Sequence, residues 1–245
     1  MTTISATALA PLPEVRAGDD LAGLLLAASD GLRDGDVLVI AHKVVSKAEG
    51  RVRRLPDIEP DERARARAAE HDKDARIVQV VLDETAELVR AERGVLICRT
   101  HHGFVCANAG VDASNAPEDG ALVLLPRDPD ASARALRGAL PGRPAVVIAD
   151  SFGRAWRHGQ CDVAIGIAGL TALDDWRGRR DPRGLELRAT AIAVADEAAA
   201  AADLLRDKAS RQPAVVVRGL ERFVTDEDGP GAAALIRPVD EDLFG

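Results

Sequence analysis

The apolar residues of this chain come in short runs: VLVIA (37–41), VLIC (95–98), FVCANAGV (104–111), ALVLLP (121–126), PAVVIAD (144–150), DVAIGIAGL (162–170) and AVVVRGL (214–220). Runs of this length, bounded by Gly, Pro, Asp or charged turns, read as buried strands. Helical stretches interrupt them irregularly. Asp19-Asp20 precede LAGLLLAAS, with apolar residues continuing through Leu32, which reads as a capped helix. Residues 61–91 are rich in charge and Ala, with Val78, Val81, Leu82, Leu88 and Val89 near helical spacing, and read as one or two helices. DASARALRGAL (130–140), N-capped by its Asp, and DEAAAAADLLRDKA (196–209) read as further helices, and a short one follows the loop that starts at Thr225. HKVVSKAEGRV (42–52) reads as a polar loop or strand edge, because Gly50 and the preceding strand disfavour a helix. Strands often follow one another directly, which favours an α+β fold of mixed or antiparallel sheets with flanking helices over a doubly wound parallel one. Residues 51–65 are the most linker-like but too few to mark a boundary. The expectation is one domain over 1–245, as a single unit or two interlocked subdomains.

Composition removes several function classes. The net charge is −8 and the pI about 5.2, so no basic surface points to nucleic acid or an anionic membrane. No apolar run approaches the length of a membrane span, and the N-terminus does not read as a signal peptide. Cys98, Cys106 and Cys161 form no CxxC pair. A reduced, cytoplasmic, soluble protein is expected. With no Tyr, two Trp and four Phe, the core must be built from Val, Leu, Ile and Ala.

The phosphate-binding GxxxxGK[ST], the dinucleotide GxGxxG, HExxH and GxSxG are all missing. Three polar clusters remain. In GVDASN (110–115), Asp112 leaves an apolar run beside Ser114 and Asn115; an Asx turn would explain it equally simply. In ADSFGRAWRHGQCD (149–162), Asp150 and Ser151 end another such run, and Arg154 and Arg157 follow. Two carboxylates placed this way can converge on a hard cation, and two guanidiniums suit a phosphate or carboxylate substrate. Trp156 between them reads as a packing residue. In HKVVSKAEGR (42–51), Lys43 and Lys47 would neutralise phosphate, or discourage pairing along a solvated edge strand.

Together these segments resemble the coenzyme F-420:γ-glutamyl ligase family, either stand-alone or as the N-terminal domain of the two-domain mycobacterial type. LPEV (12–15), GDD (18–20), DGDVLVIAHKVVSKAEGR (34–51), AGVDASN (109–115), VVIADSFGRAWRHGQCDVAIGIAGL (146–170) and VADEAAAAADLL (194–205) carry the resemblance, and the 146–170 stretch is the specific one. The resemblance implies an intertwined homodimer and a GTP-dependent amide ligase. Such an enzyme adds L-glutamate to the zero-glutamate form of the deazaflavin coenzyme F-420 and extends a γ-glutamyl tail through an acyl phosphate. It implies Mg²⁺ or Mn²⁺, two per site, with K⁺ as a further candidate. By position, Asp112, Asp150 and Ser151 match metal ligands. Leu12, Pro13, Glu14, Val15, His42, Lys47 and Asn115 match GTP contacts. Arg154 and Arg157 are assigned to catalysis, facing the phosphorylated carboxylate. Two positions depart from relatives: His42 stands where Ser is common, and Lys208 where Gln is proposed at the second metal. Two alternatives stay open on the same residues, a metal-dependent nucleotide phosphohydrolase and a non-catalytic nucleotide-binding protein.

Overall fold

The computed structural model describes residues 3–207 and 209–242; the Lys208 expectation lies outside the described residues. In chain order the elements are β1 (Ser5–Ala8), α1 (Leu21–Ala27), β2 (Val37–Ala41), α2 (His42–Ala48), β3 (Val52–Arg54), α3 (Glu62–His71), α4 (Ala75–Asp83), β4 (Thr85–Glu92) and β5 (Val95–Thr100). There follow β6 (Val105–Ala107), β7 (Ala121–Val123), α5 (Pro129–Ala139), β8 (Ala145–Arg154), β9 (Arg157–Ala168), β10 (Asp174–Asp175), β11 (Ala191–Ile192), α6 (Val194–Asp203) and β12 (Ala214–Arg218). The fold is the expected α+β arrangement.

Its centre is a five-stranded sheet ordered β1-β12-β2-β8-β9, in which only β2 and β8 run parallel. Both faces are covered, so its strands read as continuous apolar runs. Leu38, Ile40, Val146, Ile148 and Ile165 pack on one side with Leu25, Leu136 and Leu140 of the helical layer. Val37, Val39, Val147, Ile167, Val215 and Val217 pack on the other side with the Ala195, Ala198, Ala199 and Ala202 stripe of α6. Small residues on α6 let the helix approach the sheet closely. A separate cluster of Ala64, Ala68, Val78, Val81, Leu96 and Cys98 joins α3 and α4 to the sheet β4-β5-β6. Among the described residues no helix is long and apolar enough to cross a membrane.

Several local expectations are corrected. Residues 42–48 form a helix, because Val44, Val45 and Ala48 find core partners; Gly50, at φ 69°, lies just beyond its end. The PAVVIAD strand does not stop at Asp150 but continues as β8 to Arg154, paired along its length with β9. The linker-like stretch begins with β3, which pairs antiparallel with β7. The segment read as helical to residue 91 turns into β4 at Thr85. The first helix ends at Ala27, short of Leu32, and the FVCANAGV strand ends at Ala107. Helix α5 is capped by Asp128, whose side chain accepts from the Ala131 amide; Asp130 instead accepts from the Ile167 and Ala232 amides.

Candidate active site

A cavity of about 350 Å³ opens where the carboxyl ends of β2 and the middle of β8 meet the loops after β1, β6 and α6. Every expected metal or nucleotide residue within the fold lines it: Leu12, Pro13, Glu14, Val15, His42, Lys47, Asp112, Asn115, Asp150 and Ser151. Its walls are tied together by backbone. The Leu12 amide donates to the Arg211 carbonyl at 2.8 Å, and Gln212 Nε2 donates to the Leu9 carbonyl at 2.9 Å.

Helix α2 explains how its lysines work together. Lys43 and Lys47 are one turn apart and so project from the same side of the helix. Lys43 Nζ reaches Asp112 Oδ2 at 2.6 Å and Ser114 Oγ at 2.6 Å. Lys47 Nζ reaches Glu14 Oε1 at 2.6 Å. Lys47 is buried, and an ammonium in that position requires such a partner. Asp112 also closes an Asx turn, accepting the Ser114 amide on Oδ1 at 2.7 Å. Burial works to raise the Asp112 pKa, but the hydrogen bonds from Lys43 and Ser114 outweigh it and hold the carboxyl below its ordinary value. Asp112 is therefore anionic at neutral pH and ready to pair with cations.

Asp150 lies on β8. Its Oδ1 accepts from the Ser151 amide at 2.8 Å and sits 3.3 Å from His42 Nε2; among the described residues no hydrogen bond engages Oδ2. Ser151 faces Asp162 across the β8–β9 ladder, and its hydroxyl donates to Asp162 Oδ1 at 2.6 Å. The other oxygen of Asp162 accepts from Arg206, just beyond α6. Burial pulls the Arg206 guanidinium down to about 10, so it stays charged at neutral pH. Asp162 and Arg206 are buried cavity residues that the sequence reading did not single out. Burial and, secondarily, the charge of Asp150 push the Cys106 thiol up to about 12. That excludes a thiolate nucleophile there at neutral pH.

Among the described residues no three His, Cys, Asp or Glu side chains form a ready-made metal cage. The donors suit a different kind of site, in which one or two carboxylates share a hard cation with substrate phosphates. The exposed oxygen of Asp150 fits that role.

The comparisons with known proteins agree with this arrangement. Residues 10–219 match the family described as F420-0:Gamma-glutamyl ligase. The chain is 43% identical over 250 residues to the coenzyme F420:L-glutamate ligase of Methanothermobacter thermautotrophicus, covering 98% of each chain. It is 46% identical over 243 residues to that of Methanopyrus kandleri, covering 96% of each. Identity to the Halorubrum lacusprofundi protein of the same name is 46% over 225 residues, covering 89% of this chain and 87% of the relative. This chain belongs to the F420-0:gamma-glutamyl ligase family. It is an enzyme of the ligase class, forming carbon–nitrogen bonds.

Two residues assigned to catalysis lie elsewhere in this member of the F420-0:gamma-glutamyl ligase family. Arg154 and Arg157 are exposed at the tip of the β8–β9 hairpin and do not line the cavity. Arg154 donates to the His158 carbonyl at 2.6 Å. Trp156, read as a packing residue, is 80% exposed at the same tip. The strand that carries Asp150 simply runs too far for these side chains to fold back over it.

Proposed function

We propose that the cavity attaches L-glutamate to the zero-glutamate form of coenzyme F420 at the expense of GTP, and extends the product into a γ-glutamyl tail. The relatives' names support the acceptor and the amino acid. The observation that carries the nucleotide part is the convergence of Lys43, Lys47, Asp112 and Asp150 on one cavity.

The acceptor carboxylate attacks the γ-phosphorus of GTP, forming an acyl phosphate and releasing GDP. The glutamate amine then attacks the acyl carbon, loses its proton and expels phosphate. Neither step needs a covalent bond to the protein. Each needs reactants held in line and phosphate charge neutralised. Lys47 and Lys43 supply point charges along the nucleotide phosphates, exchanging their present carboxylate partners for phosphate oxygens. Leu12 to Val15 and Asn115 form the nucleotide wall. Arg206 and Arg211 place positive charge on the opposite side, where the acidic coenzyme and glutamate must lie. Asp112, Asp150 and the Ser151 hydroxyl would hold Mg²⁺ or Mn²⁺, whose chemistry is to bridge and neutralise phosphate oxygens. Asp162 and Arg206 keep Ser151 in place. The working unit is a homodimer, in which the exposed hairpin carrying Arg154, Trp156 and Arg157 meets a second copy.

The decisive experiment incubates purified protein with the zero-glutamate coenzyme, glutamate, Mg²⁺ or Mn²⁺, and GTP or ATP, with products read by mass spectrometry. The expected result is coenzyme heavier by one or more glutamyl units with GTP. Nucleotide hydrolysis without any change in coenzyme mass would instead identify a phosphohydrolase. A folded protein inactive with both nucleotides would overturn the assignment.

A further inference from the structure

We propose that His42 is a nitrogen ligand of the cavity's divalent cation, sharing it with Asp150 and biasing the site toward Mn²⁺ and Co²⁺ over Mg²⁺. This rests on the cavity being a metal–nucleotide site and specifies its metal preference.

His42 is 2% exposed and lines the cavity. It is the first residue of α2 and follows β2 without a break, so its backbone is fixed by a central strand. Its Nδ1 lies 3.3 Å from Ser46 Oγ, one helical turn along, and Ser46 is fully buried. Its Nε2 is buried and has no hydrogen-bond partner among the described residues, yet lies 3.3 Å from Asp150 Oδ1. A buried polar atom left this way carries an unmet cost.

A ring nitrogen beside a carboxylate is satisfied either by donating a proton to it or by sharing a cation with it. The contact has a hydrogen bond's length without its geometry, which disfavours donation. The spacing fits a shared cation. Two ligands each about 2.1 Å from an octahedral ion, at right angles, lie about 3 Å apart. The second ring nitrogen fits as well. Metal-ligating imidazoles are held by a hydrogen bond from their other nitrogen. With Nδ1–H given to Ser46 Oγ, the Nε2 lone pair is turned to the Asp150 side. Helix spacing of four residues supplies that brace locally.

The consequence is selectivity. Mg²⁺ prefers an all-oxygen shell, whereas imidazole suits the first-row transition ions. Replacing one oxygen donor by His42 Nε2 therefore raises affinity for Mn²⁺ and Co²⁺ more than for Mg²⁺. The remaining positions fall to water and nucleotide phosphate, in keeping with the absence of a three-residue cage among the described residues.

The test uses tag-free protein without nucleotide or coenzyme. Wild type, His42→Ser, His42→Gln and Asp150→Asn are titrated calorimetrically with Mg²⁺, Mn²⁺ and Co²⁺. Pulsed EPR of the Mn²⁺-loaded wild type then looks for ¹⁴N coupling, and this arm needs no variant to fold. Expected are a nitrogen coupling in wild type that both His42 variants lose, and a Co²⁺ affinity at least about 10-fold weaker in both. Mg²⁺ affinity should change by less than about 3-fold. If wild type shows no nitrogen coupling, or the variants keep the Co²⁺/Mg²⁺ ratio while Asp150→Asn loses metal, the His42 assignment falls and the metal site stands. If Asp150→Asn binds all three ions as wild type does, the metal site itself falls, and His42 with it.

Discussion

Lys47 and Asp162 show how single side chains divide the labour in this cavity. Lys47 is buried against a half-exposed Glu14, so removing it leaves a carboxylate that water can solvate. Lys47→Ala should therefore weaken nucleotide binding by about 10- to 100-fold, the worth of one charge-assisted hydrogen bond. The melting temperature should barely move, and equilibrium binding of GTP with parallel calorimetry checks both halves. Asp162 behaves in the opposite way. It is buried, anchors buried Arg206 and accepts the Ser151 hydroxyl. Asp162→Ala leaves a charge with no counter-ion and should cost about 3–5 kcal/mol of stability. Asp162→Asn, which keeps an acceptor for Ser151, should cost less. Equal denaturation midpoints for wild type and Asp162→Ala would refute this. Asp112, Asp150 and Lys47 were legible because each is a charge at or near an apolar run within a recognisable stretch. Asp162 and Arg206 were not, because their meaning depends on the β8–β9 register and on where the chain goes after α6. Neither fact is local.

At the level of elements, the central strands were legible and the departures have identifiable causes. In β4, shifts in register between Thr85 and Glu87 and between Leu88 and Arg90 bring Thr85, Leu88 and Ala91 to the inner side at intervals of three. Bulges thus gave a strand the spacing of a helix. In α2, Gly50 was taken as a reason against a helix when it marks where the helix stops. Packing between elements leads to two predictions. A Cβ on Gly166 of β9 would run into the backbone carbonyl of Pro129, where α5 begins. Backbone cannot swing aside, so Gly166→Ala should lose about 1–3 kcal/mol, read by chemical denaturation. Asp196 sits in the first turn of α6 and accepts from the Ala164 amide at 2.9 Å. Burial raises its pKa, and that single hydrogen bond opposes the shift only in part. Between the unfolded value of about 3.9 and the raised folded value, the native state holds the extra proton. Stability contributed by the neutral carboxyl is present below that window and lost as pH rises through it. Asp196→Asn keeps an acceptor for Ala164 and removes the charge. Its melting temperature relative to wild type should rise between pH 4 and pH 7; parallel curves would eliminate the effect.

For the whole molecule the unexplained mass lies outside the cavity. Residues 153–160 form the exposed end of the longest hairpin, and Trp156 at its tip is 80% exposed. A large aromatic on a projecting arm is poorly placed in a lone chain and well placed in a joint between two. Trp156 also has φ 57°, in the left-handed region, where glycine is at no disadvantage. Trp156→Gly therefore removes the aromatic without straining the turn, so a change in assembly cannot be blamed on local unfolding. Wild type should sediment at twice the 25.8 kDa chain mass, and Trp156→Gly should shift toward the single-chain value at the same concentration. The position of Arg154 and Arg157 extends the argument. If they act on phosphate at all, it must be in a cavity other than their own. Arg157→Ala and Asp150→Asn, each inactive alone, should then recover activity when co-refolded, because a mixed dimer holds one cavity with both residues intact. A wild type that sediments as a single chain would remove the dimer. Full activity in Arg157→Ala would remove that arginine from the chemistry and leave the hairpin as an interface alone.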